Sequence, residues 1–394
     1  MVMAAFGNKC QQRSIHSRQS QNLTIQFQCL RPSIVRVNSS RKACASASPL
    51  LATTCIGPTP FKAKTTMPGR FSVRLKRNVL GAVCQANKGE KMTVAVTGAT
   101  GLVGSRLVAK LAAAGHKVRV LTRNPATARA KLGYPGLEFF GPGEWARGVE
   151  GATGVVNLAG EPIATRWTEE LKRSIKSSRV GTTTALVDAI KAAPEERRPQ
   201  VLVSASAVGY YGISQSATYS EDSPSGSDYL AEVCRAWEAA AEGAAAAGVR
   251  VAILRIGIVL APEGGALGKM LPVFQIFAGG PLGSGKQWMS WIHRDDLVDL
   301  ILQALSNPSF SGVYNATAPK PVRMSELCSV LGNILGRPSW LPVPDFALMT
   351  LLGEGASVVL EGQRVLPTRT QAAGYRFRYS DIGDALRNLR LAGR

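Results

Sequence analysis

Met92-Thr93-Val94-Ala95-Val96-Thr97-Gly98-Ala99-Thr100-Gly101-Leu102-Val103-Gly104 is the stretch on which the fold turns. A β-branched run enters three glycines, and Leu107, Leu111 and Ala114 follow at helical spacing. This reads as strand, tight turn and helix, with the first N–H groups of the helix facing an anionic group. Gly98 permits the turn, Gly101 lets the chain approach a pyrophosphate, and Gly104 lets helix and strand pack closely. The spacing is G-x-x-G-x-x-G rather than G-x-G-x-x-G, and a glycine-rich turn can exist without a ligand. The strand before it and the helix after it favour a cofactor loop.

Residues 117–125 read as a second strand ended by a proline. In a dinucleotide fold its tip meets the adenosine ribose, where an NAD site places an acid about 20 residues past the loop. No Asp or Glu occurs between Gly104 and Glu138; Arg123 stands at the tip, between Thr122 and Asn124. A guanidinium forks a 2′-phosphate that a carboxylate would repel, so NADP is expected. The bland alternative is a solvated surface arginine.

Further along, residues 125–150 read as a short helix and an irregular crossing. Residues 155–161 are a buried strand whose exit, Leu158, Ala159 and Gly160, would lie along the cofactor. A long helix over 168–193 carries Arg179, a candidate to face the cleft. Residues 201–206 form a buried strand with Ser204 and Ser206, continuing to Tyr210 and Tyr211. The loop 215–228 is expected to cover the site, and a helix over 229–247 leads to a strand over 249–260. Asp295 or Asp296 is expected to cap the next helix. Strands alternating with helices indicate an α/β, doubly wound parallel sheet.

The 394 residues carry a formal charge of +21, which points first to nucleic acid. Residues 1–89, however, contain 14 Lys and Arg and no Asp or Glu, while the other 305 hold 33 basic and 26 acidic residues. A Ser- and Arg-rich segment free of acids and of a sustained apolar run reads as an organellar transit peptide, and its Ser, Thr and Ala content favours a plastid. With the leader set aside, no nucleic-acid partner is expected. Five of seven cysteines lie in it, leaving Cys234 and Cys328, too few for a metal cage or disulfide framework. The expected organisation is a leader over 1–89, an NADP-binding Rossmann domain over 90–310 and a small mixed α/β lobe over 311–394.

The glycine loop, the Asn157-Leu158-Ala159-Gly160 exit and the Ser204-Ala205-Ser206 strand resemble the extended short-chain dehydrogenase/reductases, the group of sugar-nucleotide epimerases and reductases. Residues 255–260, 279–296 and 360–365 are similar to the epimerase-like branch with a C-terminal lobe. The likeness covers essentially all of 92–394. It implies a cofactor set of Gly98, Thr100, Gly101, Leu102, Val103, Gly104, Thr122, Arg123, Asn124, Leu158, Ala159, Gly160, Arg179 and Val259. With the plastid leader added, it extends to a plant member implicated in plastid division. That implies division proteins as partners and peripheral contact with the stromal face of the inner envelope.

The superfamily's chemistry uses a tyrosine with a lysine four residues on, because a phenol of pKa about 10 needs a nearby cation to work at neutral pH. Ser206 or Ser204 suits the serine that bonds a substrate oxygen. Tyr229 falls where the tyrosine is expected, but Val233 occupies the lysine position; Tyr210 and Tyr211 have Ser214 and Gln215 there. The expected catalytic set is Ser206, Tyr229 and Tyr210 acting on a small-molecule substrate. With the usual pair broken, three readings stay open: a working NADP-dependent oxidoreductase, a catalytically inactive NADP-binding regulator, or a sugar-nucleotide epimerase or reductase unrelated to division. His293 reads as a packing or capping residue, and Cys234 as core. Trp288 and Trp291 either stack on substrate or close a hinge. The terminal Ile382, Ala385, Leu386 and Leu389 either pack or lie on an anionic membrane surface.

Overall fold

A computed structural model describes residues 91–389 and residue 391. The leader expected over 1–89 lies outside the described residues. In chain order the elements are β1 (Thr93–Thr97), α1 (Leu102–Ala113), β2 (Lys117–Leu121), α2 (Pro125–Leu132), β3 (Glu138–Phe140), α3 (Trp145–Val149), β4 (Gly154–Asn157) and α4 (Glu169–Ala192). Then follow β5 (Val201–Ala207), β6 (Thr218–Tyr219), α5 (Tyr229–Glu242), β7 (Arg250–Ile256), β8 (Ile258–Leu260) and α6 (Gly265–Gln275). The remainder comprises β9 (Trp288–Met289), β10 (Trp291–His293), α7 (Arg294–Ser306), β11 (Gly312–Ala316), β12 (Val322–Arg323) and α8 (Met324–Leu335). Last come α9 (Asp345–Leu352), α10 (Ser357–Leu360), β13 (Arg364–Val365), α11 (Thr368–Ala372) and α12 (Ile382–Asn388).

Seven strands form one parallel sheet in the order β11-β7-β5-β4-β1-β2-β3. Strand residues alternate faces. Val94 and Val96 of β1 therefore enter one core with Leu107 and Leu111 of α1 and Leu297 and Ile301 of α7. Ala95 enters the opposite core with Leu186 and Ile190 of α4 and Ala241 of α5. Helices on both faces make the sheet doubly wound, as the alternation implied. The strand order reverses around β1 and β4. That crevice, at the carboxyl ends of the strands, is where open α/β sheets hold ligands.

A third core joins α6, α8 and α12 with Trp291 and Met289, and it belongs to the C-terminal part of the chain. Ile382, Ala385 and Leu386 are buried in it, so the apolar stripe of α12 is packed against α8 rather than open to a membrane. Three expectations need correction. β3, a three-residue strand, lies within the crossing expected over 125–150 and pairs with β2. The strand expected over 249–260 is two, broken at Gly257, where a Cβ would lie 2.3 Å from the Ser290 carbonyl oxygen. β11 lies past the domain boundary expected at 310, yet pairs with β7 through Gly312–Ala316, so an edge strand of the sheet falls beyond that boundary.

Candidate functional site

At Gly98 and Gly104 the glycine loop is held by contacts that leave no room for side chains. Gly98 has φ +65°, and a Cβ there would lie 2.4 Å from the Leu158 carbonyl oxygen. At Gly104 a Cβ would lie 2.2 Å from the Gly98 carbonyl oxygen, which brings α1 hard against the turn. Gly101 is the N-cap of α1, with extended backbone and no side-chain cap, so the first-turn N–H groups of Leu102, Val103 and Gly104 lack the partner a capping side chain gives. No acidic residue occupies that turn. Such a helix start favours an anion.

Buried hydroxyls and one amide align the strand ends around this loop. Thr97 Oγ1 donates to Asn157 Oδ1 (2.7 Å), while Asn157 Nδ2 donates to Thr183 Oγ1 (2.7 Å) and to Ser204 Oγ (3.2 Å). The Leu158 N–H donates to Thr97 Oγ1 at 3.2 Å. β1, β4, β5 and α4 are thereby fixed at one level, with Leu158 and Ala159 against Gly98. Ser204, a candidate for substrate contact, is instead part of this lock. Val259 is drawn in from β8: a Cβ on Gly265 would lie 3.4 Å from both the Leu102 side chain and the Val259 carbonyl oxygen.

Arg123 sits just past β2, with its side chain 85% exposed, and donates from Nη2 to Glu161 Oε1 at 3.2 Å. It borders an open depression of about 320 Å³ shared with Trp145 and the hydroxyls of Ser174, Ser177, Ser178 and Thr182 on α4. Trp145 Nε1 is buried there without a hydrogen-bond partner. The closed glycine cradle, the uncapped helix start and this depression fit a phosphate-bearing dinucleotide. Asn124 behaves differently from its assignment: its side chain caps α2, accepting from the Thr127 N–H at 3.0 Å, and Thr122 Oγ1 accepts from the Asn124 N–H. Arg179 lies under Gly160, where a Cβ would be 3.2 Å from its Cζ, and donates to the Glu161 carbonyl at 2.9 Å. Burial lowers the pKa of Arg179 from the ordinary arginine value. Its guanidinium also lies 5.4 Å from the Trp237 ring centroid.

The catalytic candidates do not assemble as expected. The Tyr229 hydroxyl donates to the Lys172 carbonyl, and the ring packs edge-on against Trp167. Burial raises the pKa of this phenol, against the opposing charges of Lys176, Lys172 and Arg179. Cations thus do stand near Tyr229, contributed by α4 rather than by position 233, but burial outweighs them. Val233 is itself buried at 1% exposure. Tyr211 donates to Asn315 Oδ1 (2.7 Å) and accepts from Arg255 Nη1 (3.0 Å); burial pushes its pKa up to about 12, despite the Arg255 charge. Tyr210 rests with its ring face 3.3 Å from Arg255 Cζ.

Sequence reasoning missed the group beneath these residues. Ser206 Oγ donates to Glu238 Oε1 at 2.6 Å, and Arg255 grips the same carboxylate through Nε to Oε1 and Nη2 to Oε2, both at 2.8 Å. Arg255 also donates to the Glu221 carbonyl. Burial opposes the charge on Arg255, but the bonds and charge of Glu238 and Tyr211 outweigh it and hold its pKa above the ordinary value. The Glu221 carboxylate accepts from the backbone N–H groups of Asn315, Arg369 and Thr370, joining β11 to α11. For Arg255 and Glu238 the signal in the sequence was a charged residue within an otherwise apolar segment; Glu221, in a polar loop, carried none.

Further up the chain, His293 is the cap of α7: its Nδ1 accepts from the Asp295 N–H at 3.0 Å, in place of the expected Asp295 or Asp296. Asp296 instead accepts from the Arg378 and Tyr379 N–H groups. Trp291 is fully buried, and the Trp288 ring carries the guanidinium groups of Arg323 and Arg364 at 3.7 and 5.0 Å from its centroid. Cys234 is buried, and burial pushes its thiol up to about 12.

These features agree with what the chain is similar to. Residues 94–316 match the NAD dependent epimerase/dehydratase family, and residues 343–389 match a domain of unknown function, DUF1731. A chloroplastic SDR39U1 homolog of Arabidopsis thaliana, an epimerase family protein, is 56% identical over 324 residues, covering 82% of this chain and 93% of the homolog. Epimerase family protein YfhF of Bacillus subtilis is 38% identical over 76% of this chain and 98% of its own length. The crystal structure of human SDR39U1 isoform 2 with NADPH superposes with a TM-score of 0.68 at 36% identity, over 76% of this chain and 99% of that one. The chain therefore belongs to the NAD-dependent epimerase/dehydratase family of Rossmann-fold proteins, with a DUF1731 segment in its C-terminal part.

Proposed function

We propose that the chain binds NADP(H) across the carboxyl ends of β1, β2 and β4 and acts in the plastid as an oxidoreductase on a small carbonyl or sugar-nucleotide substrate. The observation that carries this reading is Arg123 at the tip of β2, where an NAD site places a carboxylate. The uncapped start of α1 receives the pyrophosphate, and Leu158 and Ala159 back the dinucleotide. The NADPH held by the human relative supports the same assignment. Bound nicotinamide supplies or accepts the hydride. Of the three candidate tyrosines, Tyr210 is the phenol that remains for proton transfer, since the hydroxyls of Tyr229 and Tyr211 are committed to Lys172 and Asn315. Ser206 gives its proton to Glu238 and offers lone pairs.

Titrating the purified protein with NADPH and NADH tests the cofactor assignment: NADPH binds about tenfold tighter or better, and Arg123→Ala removes the preference. Equal affinities insensitive to Arg123 overturn it. A second reading, an NADP-binding regulator without turnover, is favoured by the missing Tyr-Lys pair. NADPH oxidation over a carbonyl and sugar-nucleotide panel separates the two. Turnover that is lost in Tyr210→Phe sinks the regulator, and tight binding without turnover sinks the oxidoreductase. Plastid placement is supported by the acid-free leader and the chloroplastic homolog. A contribution to plastid division, with peripheral inner-envelope association and division proteins as partners, rests on the family likeness; unchanged plastid number and size after loss of the chain would remove it.

A further inference from the structure

We propose that Glu161 moderates the NADPH preference that Arg123 gives this site, its carboxylate occupying the seat on Arg123 that a 2′-phosphate takes; this rests on the NADP(H) reading above. The acid that an NAD site carries at the tip of β2 is missing there, but a carboxylate reaches the same guanidinium from the exit of β4, 38 residues further on. Its placement is built by the backbone. The Glu161 N–H donates to Ser178 Oγ at 3.1 Å, and its carbonyl accepts from Arg179 Nη2 at 2.9 Å. Gly160, with no Cβ, lets the Arg179 guanidinium pass close enough to do so. Glu161 is thus held from both sides with its side chain directed to Arg123.

Opening this pair is easy. The Arg123 side chain is 85% exposed and that of Glu161 31%, a setting in which solvent and salt screen an ion pair heavily. A phosphate monoester carries more charge and more acceptor oxygens than a carboxylate and takes the guanidinium from it. The displaced carboxylate then stands beside like charge and weakens phosphate binding. A ribose 2′-hydroxyl, in contrast, leaves the Arg123–Glu161 pair intact and has an acceptor waiting. Glu161 thereby narrows the margin between the two cofactors.

The test is direct titration of the full chain with NADPH and with NADH at low salt, followed by heat rather than turnover. Glu161→Gln binds NADPH about threefold tighter, while NADH is unchanged or weaker. In an Arg123→Ala background the same substitution has a smaller effect on NADPH, that of the like-charge repulsion alone. Glu161→Asp, too short to reach Arg123 from the same backbone, frees the guanidinium but keeps the repulsion and falls between wild type and Glu161→Gln. Weaker NADPH binding in Glu161→Gln, equal shifts for both cofactors, or an undiminished effect without Arg123 would each overturn the proposal. Failure of the underlying reading looks different: a wild-type chain that takes up no NADPH loses both. Binding that depends on Arg123 but is indifferent to Glu161 removes this inference alone.

Discussion

Replacing Arg255 by leucine strands a buried carboxylate beneath the catalytic candidates. In the wild type, Glu238 receives two guanidinium bonds of 2.8 Å and the Ser206 hydroxyl, with the side chains of Arg255 and Glu238 only 5% and 7% exposed. After Arg255→Leu the Ser206 bond remains, together with a charge held out of water. Removing one partner of such a pair costs about 3–5 kcal/mol. Glu238→Leu costs a similar amount by stranding the guanidinium. The double substitution leaves neither charge, and its remaining loss is confined to the Ser206 hydroxyl, Tyr211 and the Glu221 carbonyl, roughly 1–3 kcal/mol. The cycle should therefore show a coupling of about 3 kcal/mol or more, the double variant being more stable than the sum of the singles implies. Urea unfolding followed by circular dichroism at neutral pH measures all four proteins. Single-variant losses below about 1 kcal/mol, or strict additivity, would refute the claim that this pair is desolvated and mutually dependent.

Three other outcomes follow from equally local geometry. Gly104→Ala forces a Cβ to within 2.2 Å of backbone at Gly98, so it should both destabilise the fold and abolish NADPH retention, whereas Gly101→Ala, meeting only the Gly98 oxygen at 3.2 Å, should keep the fold and weaken NADPH; thermal melts with and without NADPH distinguish them. His293 is 1% exposed, and burial lowers its pKa to about 4. A folded-state pKa below the unfolded value means that this stability is whole above about pH 6.5 and lost as pH falls toward 4, by about 3 kcal/mol in all. His293→Asn, which keeps a capping acceptor, should flatten that acid limb in urea melts at pH 7, 5.5 and 4.5, and an unchanged slope would count against it. Asp296→Ala strips the acceptors of the Arg378 and Tyr379 N–H groups, at 2.9 and 3.0 Å, and should release the 375–379 stretch to limited proteolysis with a stability loss of about 2–4 kcal/mol.

What the sequence displayed and what it hid divide along physical lines. Local patterns were readable: the β-branched run into Gly98, the helix starting beside Thr168, and the alanine-rich α5 all depend on neighbours within a few residues. Thr168 indeed caps α4, accepting from the Leu171 N–H. Elements stabilised only by distant partners were not. β3 is three residues long, carries too little periodicity to signal a strand, and exists through its pairing with β2. β11 reads as the start of the lobe until its register with β7 is known.

The site shows the same division. The glycine positions and Arg123 were legible as candidates because their chemistry is written in spacing. The Arg255–Glu238 pair was hidden because it joins β7 to α5, and neither residue has a periodic signature. Tyr229 illustrates a different limit. Its place in the sequence matched the catalytic tyrosine, but its hydroxyl is taken by a carbonyl of α4, a contact that no spacing rule encodes.

A crystal structure of the protein with NADPH tests the central claim most directly. The expected result has the pyrophosphate over the N–H groups that open α1, and the 2′-phosphate within hydrogen-bond distance of Arg123 with Glu161 turned aside. A nucleotide bound elsewhere, or a 2′-phosphate that does not engage Arg123, would contradict it.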